Sequence, residues 1–146
     1  MADASIRAVA LAIFIRPRDS ALLAVRFPDP DRIFYRPPGG GIEFGESSQD
    51  AACREAVEEL GHPVRAERLL GVVENIFQHN NLRGHQIMFN WLLRFEDPGM
   101  YEQEELPVEE MNGDTYTAHW VHPAELAAQG IPLFPLGLAP LLETSA

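Results

Sequence analysis

Apolar and β-branched residues run through positions 6–15 and again through 21–27, separated by Arg16-Pro17-Arg18-Asp19-Ser20. This pattern predicts two strands joined by a turn. Pro28-Asp29-Pro30-Asp31 predicts a loop and residues 33–35 a short extended piece. Pro37-Pro38-Gly39-Gly40-Gly41 predicts a break in regular structure, with residues 42–44 extended again. Ser47 and Asp50 mark a helix start and Gly61 a left-handed stop, so a helix is expected over 48–60. At about 100° per residue, Ala52, Cys53, Ala56, Val57 and Leu60 form its apolar face, and Glu55, Glu58 and Glu59 fall opposite. Residues 64–77 and 85–95 read as long strands joined by a polar turn over 79–84. Residues 97–114 read as an acidic loop, 115–121 as a strand and 123–128 as a short helix. Residues 131–142 form a Pro-punctuated apolar tail, helical in part. Strands mixed with two or three helices predict an α/β (α+β) fold, and neither repeat nor linker divides residues 1–146, so one domain is expected.

Composition narrows the class. A chain of 146 residues that is 46% hydrophobic and 23% charged is of ordinary globular character. No apolar run approaches the roughly 18 residues of a membrane span, and the stretch over 8–15 lacks the basic flank and cleavage site of a signal peptide. One cysteine, Cys53, excludes an intrachain disulfide framework and fits a reducing cytoplasm; its place on the apolar helix face predicts an inert thiol. A net charge of −11 argues against nucleic-acid partners and anionic membranes. It also repels a phosphorylated substrate, unless a divalent cation neutralises the site.

That cation matters because of the helix. Like charges at i,i+3 and i,i+4 cost a helix roughly 0.2–0.5 kcal/mol per pair, so Glu55, Glu58 and Glu59 are tolerated either on a solvated face or around a cation. An all-oxygen set suits Mg²⁺ or Mn²⁺, and a carbonyl in the preceding triple glycine could join it. Arg54 and Glu46 have complementary charge and could lock the glycine loop to the helix. Such a site could polarise phosphorus and direct water in line, with a spare carboxylate as general base.

Taken together, Gly40, Glu46, Arg54, Glu55, Glu58, Glu59 and Gly61 stand as Gly-x5-Glu-x7-Arg-Glu-x-x-Glu-Glu-x-Gly. This pattern resembles the signature box of the Nudix hydrolases. The resemblance covers 23 residues and implies a mixed β-sheet sandwiched between helices. It implies that Glu58 and Glu59 are the principal metal ligands and that Glu55 is a further ligand or the base. It also implies that the Gly40 carbonyl reaches the metal and that Glu46 and Arg54 form a supporting salt bridge. Leu22-Leu23-Ala24-Val25-Arg26, Pro38-Gly39-Gly40 and Trp120-Val121 before Glu125-Leu126 are looser family-like features. His62-Pro63 replaces the aliphatic residue usual after the box, and Pro37 replaces an aliphatic residue before it.

Many Nudix members add a downstream carboxylate. Here Glu109 or Glu110 is expected to join the metal site, ahead of Asp114. Arg26 and Arg36 are candidate phosphate ligands, with surface cations as the alternative. Tyr35, Phe77 and Phe89 could stack a base or belong to the core. Asn75, His79 and His85 flank a turn that could overhang the site, and His119 and His122 read as structural. No zinc spacing, serine–histidine–acid set or P-loop lysine appears. The resemblance implies Mg²⁺- or Mn²⁺-dependent hydrolysis of a pyrophosphate bond in a nucleoside diphosphate derivative, foremost a nucleoside di- or triphosphate. Nucleotide sugars, dinucleoside polyphosphates and a non-catalytic nucleotide sensor are the alternatives, and a homodimer is compatible with the sequence. A purely structural acidic adaptor would leave the glycine and glutamate spacings unexplained.

Overall fold

β1 (Ile6–Ile13) is continuously apolar from Ala8 on, and from Val9 both of its faces are covered. Ala10, Ala12 and, just beyond, Phe14 enter one buried cluster, whereas Val9, Leu11 and Ile13 enter a second. The computed structural model from which this follows describes residues 4–28, 31–79, 81–110 and 112–143. β1 pairs antiparallel with β4 (Gly39–Gly41) and in parallel with β6 (Leu82–Phe95), from Ile6 opposite His85 to Ile13 opposite Leu92. β5 (Val64–His79) lies antiparallel to β6 and completes a mixed sheet in the order β4-β1-β6-β5.

A second, antiparallel sheet has the order β3-β2-β8-β7, built from β2 (Leu22–Pro28), β3 (Ile33–Arg36), β7 (Glu105–Glu109) and β8 (Thr115–Val121). α1 (Ser48–Leu60) supplies Ala51, Ala52, Ala56 and Leu60 to the first cluster, together with Leu23 and Val25 from β2 and Leu106 and Val108 from β7. α2 (Pro123–Ala128) follows β8, and α3 (Leu138–Glu143) supplies Leu138 to the second cluster. This is the mixed α+β architecture expected, with the strands divided between two sheets. No helix among the described residues is long and apolar enough to cross a membrane.

α1 has the predicted bounds for the predicted reasons. Ser47 accepts a hydrogen bond from Asp50 N at 3.1 Å, and Gly61 closes the helix at φ 76° with its N–H on Val57 O. The Trp91 indole donates to Ser48 Oγ at 2.9 Å, tying the start of α1 to β6. Its faces differ from expectation at two places. Val57 is 46% exposed, while Glu59 is buried at 5%. Glu59 follows Ala52 by seven residues and Ala56 by three, so it continues their buried stripe.

Four expectations between the main elements need correction. The triple glycine does not interrupt structure: Gly39, Gly40 and Gly41 pair with Leu11, Ala10 and Val9. At Gly39, where φ is 151°, a Cβ would collide with the Ala10 carbonyl oxygen, so only glycine permits this approach. Residues 42–44, expected to be extended, lie outside any strand. The turn over 79–84 shrinks to the two residues between His79 and Leu82, which are already paired; Asn81 adopts φ 66°, and Asn80 lies outside the described residues. The acidic loop contains a 3-10 turn, Pro98–Glu102, and β7, whose Leu106 and Val108 are buried between exposed neighbours. Pro107 obscured that alternation, and the sheet accepts it because β7 is an edge strand.

Candidate active site

Arg54 organises the acidic end of α1. Its Nε and Nη2 donate to Glu46 Oε2 and Oε1 at 2.7 and 2.9 Å, a two-pronged pair. Nη2 also donates to the Gly41 carbonyl at 3.1 Å. Nη1 reaches Glu55 Oε1 at 3.0 Å and Glu58 Oε2 at 3.3 Å. One guanidinium therefore joins the loop after β4 to two glutamates of the helix. Glu46 further accepts from Glu43 N at 3.1 Å. Hydrogen bonding from Arg54 first, then from the Glu43 amide, holds the Glu46 carboxyl down at about 2. The hydrogen bond to Glu46, the largest cause, and the one to Glu55 push the Arg54 guanidinium up against burial.

Glu55 lies against Gly40. A Cβ built on Gly40 would stand 2.7 Å from the Glu55 carboxyl carbon, so the absence of a side chain is what lets the carboxylate settle there. Glu58 is half-exposed. Glu59 turns inward and accepts from Gly39 N through Oε2 at 3.0 Å, while its Oε1 is buried with no partner. Burial foremost, then the charge of Glu110, pushes the Glu59 carboxyl up to about 9; Arg36 opposes this and Glu55 adds to it. Among the described residues no three acidic, histidine or cysteine side chains form a ready metal-holding group. The expected convergence is absent because Arg54 draws Glu55 and Glu58 to itself while Glu59 faces the interior. The oxygen-only donors nevertheless suit a hard cation, and Glu59 Oε1 is a buried oxygen without a partner.

The downstream carboxylates separate. Glu110, just past β7, is the one whose charge acts on Glu59, and its Oε1 stands 4.0 Å from Arg36 Nη2. Glu109 is an exposed end of β7. Asp114 stays within its own turn: its carbonyl accepts from Glu110 N and its Oδ2 from Asn112 Nδ2. The Arg36 guanidinium lies 5.2 Å from the Phe27 ring, and its Nε is buried without a partner.

Arg36 and Phe77 line a cavity of about 320 Å³ together with Phe27, Phe34, Asn75, Gln86 and neighbouring side chains. Arg26 and Tyr35 do not line it. Arg26 alternates away from Val25 and Phe27, and the Tyr35 ring packs with the second cluster, edge-on to His119. Phe89 lies between β1 and β5, opposite Ala10 and Val72. His85 bonds Glu74 at 2.8 Å, and nothing is described of the His79 side chain. His122 lies 3.4 Å from Asp19 and His119 3.8 Å from Glu105. Burial of the Cys53 thiol raises its pKa, in keeping with an unreactive group. A larger cavity, about 700 Å³, is lined by Leu70, Leu92, Ala124, Ala127 and others, but by none of the predicted site residues.

Sequence reasoning missed Phe27, Phe34 and Gln86 as cavity residues and Arg36 as the link to the carboxylates. The available signal was period two: Phe34 and Arg36 share one face of β3, and Phe34 pairs with Phe27 across β2.

The NUDIX domain profile matches residues 6–142, and the chain belongs to that family. It is similar to diphosphoinositol polyphosphate phosphohydrolase 3-alpha of Mus musculus, at 39% identity over 80 residues, 55% of this chain and 45% of the relative. It is also similar to the ADP-ribose pyrophosphatase of Methanocaldococcus jannaschii, at 34% over 86 residues, 59% of this chain and 50% of the relative. The chain spans about half the length of these curated relatives. In three dimensions it resembles the E. coli ORF135 protein, with a TM-score of 0.63 and 25% identity, covering 95% of this chain and 87% of the other. Domain and fold are thus those of Nudix-type hydrolases.

Proposed function

We propose that the protein hydrolyses a pyrophosphate bond in a nucleoside diphosphate derivative, foremost a nucleoside di- or triphosphate, with Mg²⁺ or Mn²⁺ as cofactor. The observation that carries this reading is the continuity from the aromatic cavity through Arg36 to Glu110 and Glu59. A base can occupy the cavity while its phosphates reach the carboxylates.

Glu55, Glu58, Glu59, Glu110 and the Gly40 carbonyl are the groups proposed to hold the cation. When bound, it neutralises phosphate charge and polarises phosphorus. Arg54, anchored by Glu46, spaces Glu55 and Glu58 and keeps the Gly41 end of the loop against α1. Arg36 offers its guanidinium to phosphate oxygens. In the reaction the water oxygen bonds to phosphorus, the bridging P–O bond breaks, and the leaving phosphate takes the bond's electrons. A carboxylate not fully used as a ligand, Glu55 in this reading, accepts the water proton. Products are a nucleoside monophosphate plus phosphate, pyrophosphate or the other leaving half.

The reading is tested by assaying monophosphate release from nucleoside di- and triphosphates, ADP-ribose, nucleotide sugars and dinucleoside polyphosphates, with Mg²⁺, with Mn²⁺ and after chelation. Release from at least one nucleotide, abolished by chelation and restored by metal, is expected. Turnover unaffected by complete chelation would overturn the metal mechanism, and tight nucleotide binding without any turnover would make the protein a sensor.

A further inference from the structure

We propose that Asn75 and Gln86 read the edge of a nucleobase held in the aromatic cavity and are specificity-determining residues for this chain. The inference deepens the function proposed above and rests on it for the reaction, although base binding can be measured without turnover.

Asn75 on β5 stands directly opposite Gln86 on β6, so both side chains leave the same face of the sheet. Both line the cavity and are half-buried. The next position on that face of β5 is Phe77, opposite Gly84. A Cβ on Gly84 would collide with the Phe77 ring, so the glycine is what lets the ring lie across β6. Phe77 remains 39% exposed and lines the cavity.

The other sheet contributes Phe27 and Phe34, whose rings stack at 5.0 Å and 14°. Aromatic surface from two sheets with an amide pair between them suits a flat heterocycle, which stacks on rings and presents donors and acceptors at its rim. A carboxamide offers both a donor and an acceptor, and can pair two-pronged with such an edge. Among the described residues no carboxylate lines the cavity, and its cations are Arg32 and Arg36. That inventory is too small for a densely phosphorylated cyclitol, which would need many more positive groups. At about 320 Å³ the cavity lies at the small end of ligand sites, which run from roughly 300 to 1,000 Å³. It fits one base rather than two. Arg36, at the end facing Glu110, sets the direction in which the phosphates leave.

Calorimetric titration with the nucleoside monophosphates of adenine, guanine, cytosine and uracil, and with ribose 5-phosphate, tests this on wild type, Phe77→Ala, Asn75→Asp and Gln86→Glu. All three positions are partly exposed, and circular dichroism checks that each variant folds. The expected result is at least tenfold preference of wild type for one base over ribose 5-phosphate. Phe77→Ala should lose most of that preference, and Gln86→Glu or Asn75→Asp should change the order of bases. For hydrolysed nucleotides, KM should rise with kcat changed much less. Monophosphates binding no better than ribose 5-phosphate, or an unchanged order of bases in both amide variants, would overturn the inference. Base preference without turnover would support the slot while sinking the hydrolase reading; turnover without base preference would do the reverse.

Discussion

The Glu46 carboxylate receives two N–H groups from Arg54, at 2.7 and 2.9 Å, while the same guanidinium reaches Gly41 O, Glu55 and Glu58. All five guanidinium donors can be satisfied by this one arrangement. A lysine has the charge but no planar fork, so it cannot hold the loop and both glutamates together. Arg54→Lys should lower turnover by about 10- to 100-fold, the scale expected when catalytic groups move by roughly 1 Å. Steady-state kinetics across a metal titration checks this. The pair also fixes a pH trend: because Glu46 is held down at about 2, its stabilising contribution is present above the ordinary carboxylate range and is lost as pH falls towards 2.

Glu59 has the opposite sign. Burial and the neighbouring Glu110 raise its carboxyl to about 9, so the folded protein keeps a proton that the unfolded chain releases near 4.5. Without metal, stability should therefore fall as pH rises from about 4.5 to 9. Glu59→Gln, which is neutral throughout, should raise Tm relative to wild type at pH 8 in chelator and converge with it near pH 5. Thermal unfolding at the two pH values provides the comparison.

Gly40 has a steric requirement that its backbone angles do not reveal. Because the Glu55 carboxylate occupies the space of the missing Cβ, Gly40→Ala should push Glu55 away from the glycine strand. The expectation is at least about a tenfold loss of turnover with most of the fold retained, since Gly40 lies on the edge strand β4. Activity assays beside circular dichroism would show it. A fully active alanine variant would mean that this position of Glu55 is not used.

The two downstream glutamates should differ sharply. Glu110→Gln removes the charge that acts on Glu59, whereas Glu109→Gln changes an exposed strand end. Glu110→Gln should weaken metal-supported turnover by about tenfold or more and Glu109→Gln by less than about twofold. Parallel metal titrations of both variants decide the assignment. Equal effects would place the downstream group elsewhere.

The bounds of α1 and β8 were legible because their signals are local: a serine cap, a glycine stop and β-branched alternation. The spacing of Glu46, Arg54 and the helix glutamates was legible for the same reason. Glu59 was misplaced because a carboxylate on a buried stripe contradicts ordinary hydrophobic patterning, and only the Gly39 amide and the packing of β4 explain it. β7 was hidden by Pro107, which a sequence scan penalises without knowing that the strand is an edge. The cavity was the least legible feature. It joins Phe27 and Phe34 to Asn75 and Gln86, and no local rule pairs strands from different sheets.

Cation-dependent hydrolysis supported by the α1 carboxylates is tested with the least structural disturbance at Glu58, which is half-exposed. The decisive measurement is nucleotide hydrolysis by wild type and Glu58→Gln over a full Mg²⁺ titration. At least a tenfold loss of turnover is expected in a folded variant, with the metal requirement shifted to higher concentration. Full activity with an unchanged metal dependence would contradict that role of the α1 carboxylates.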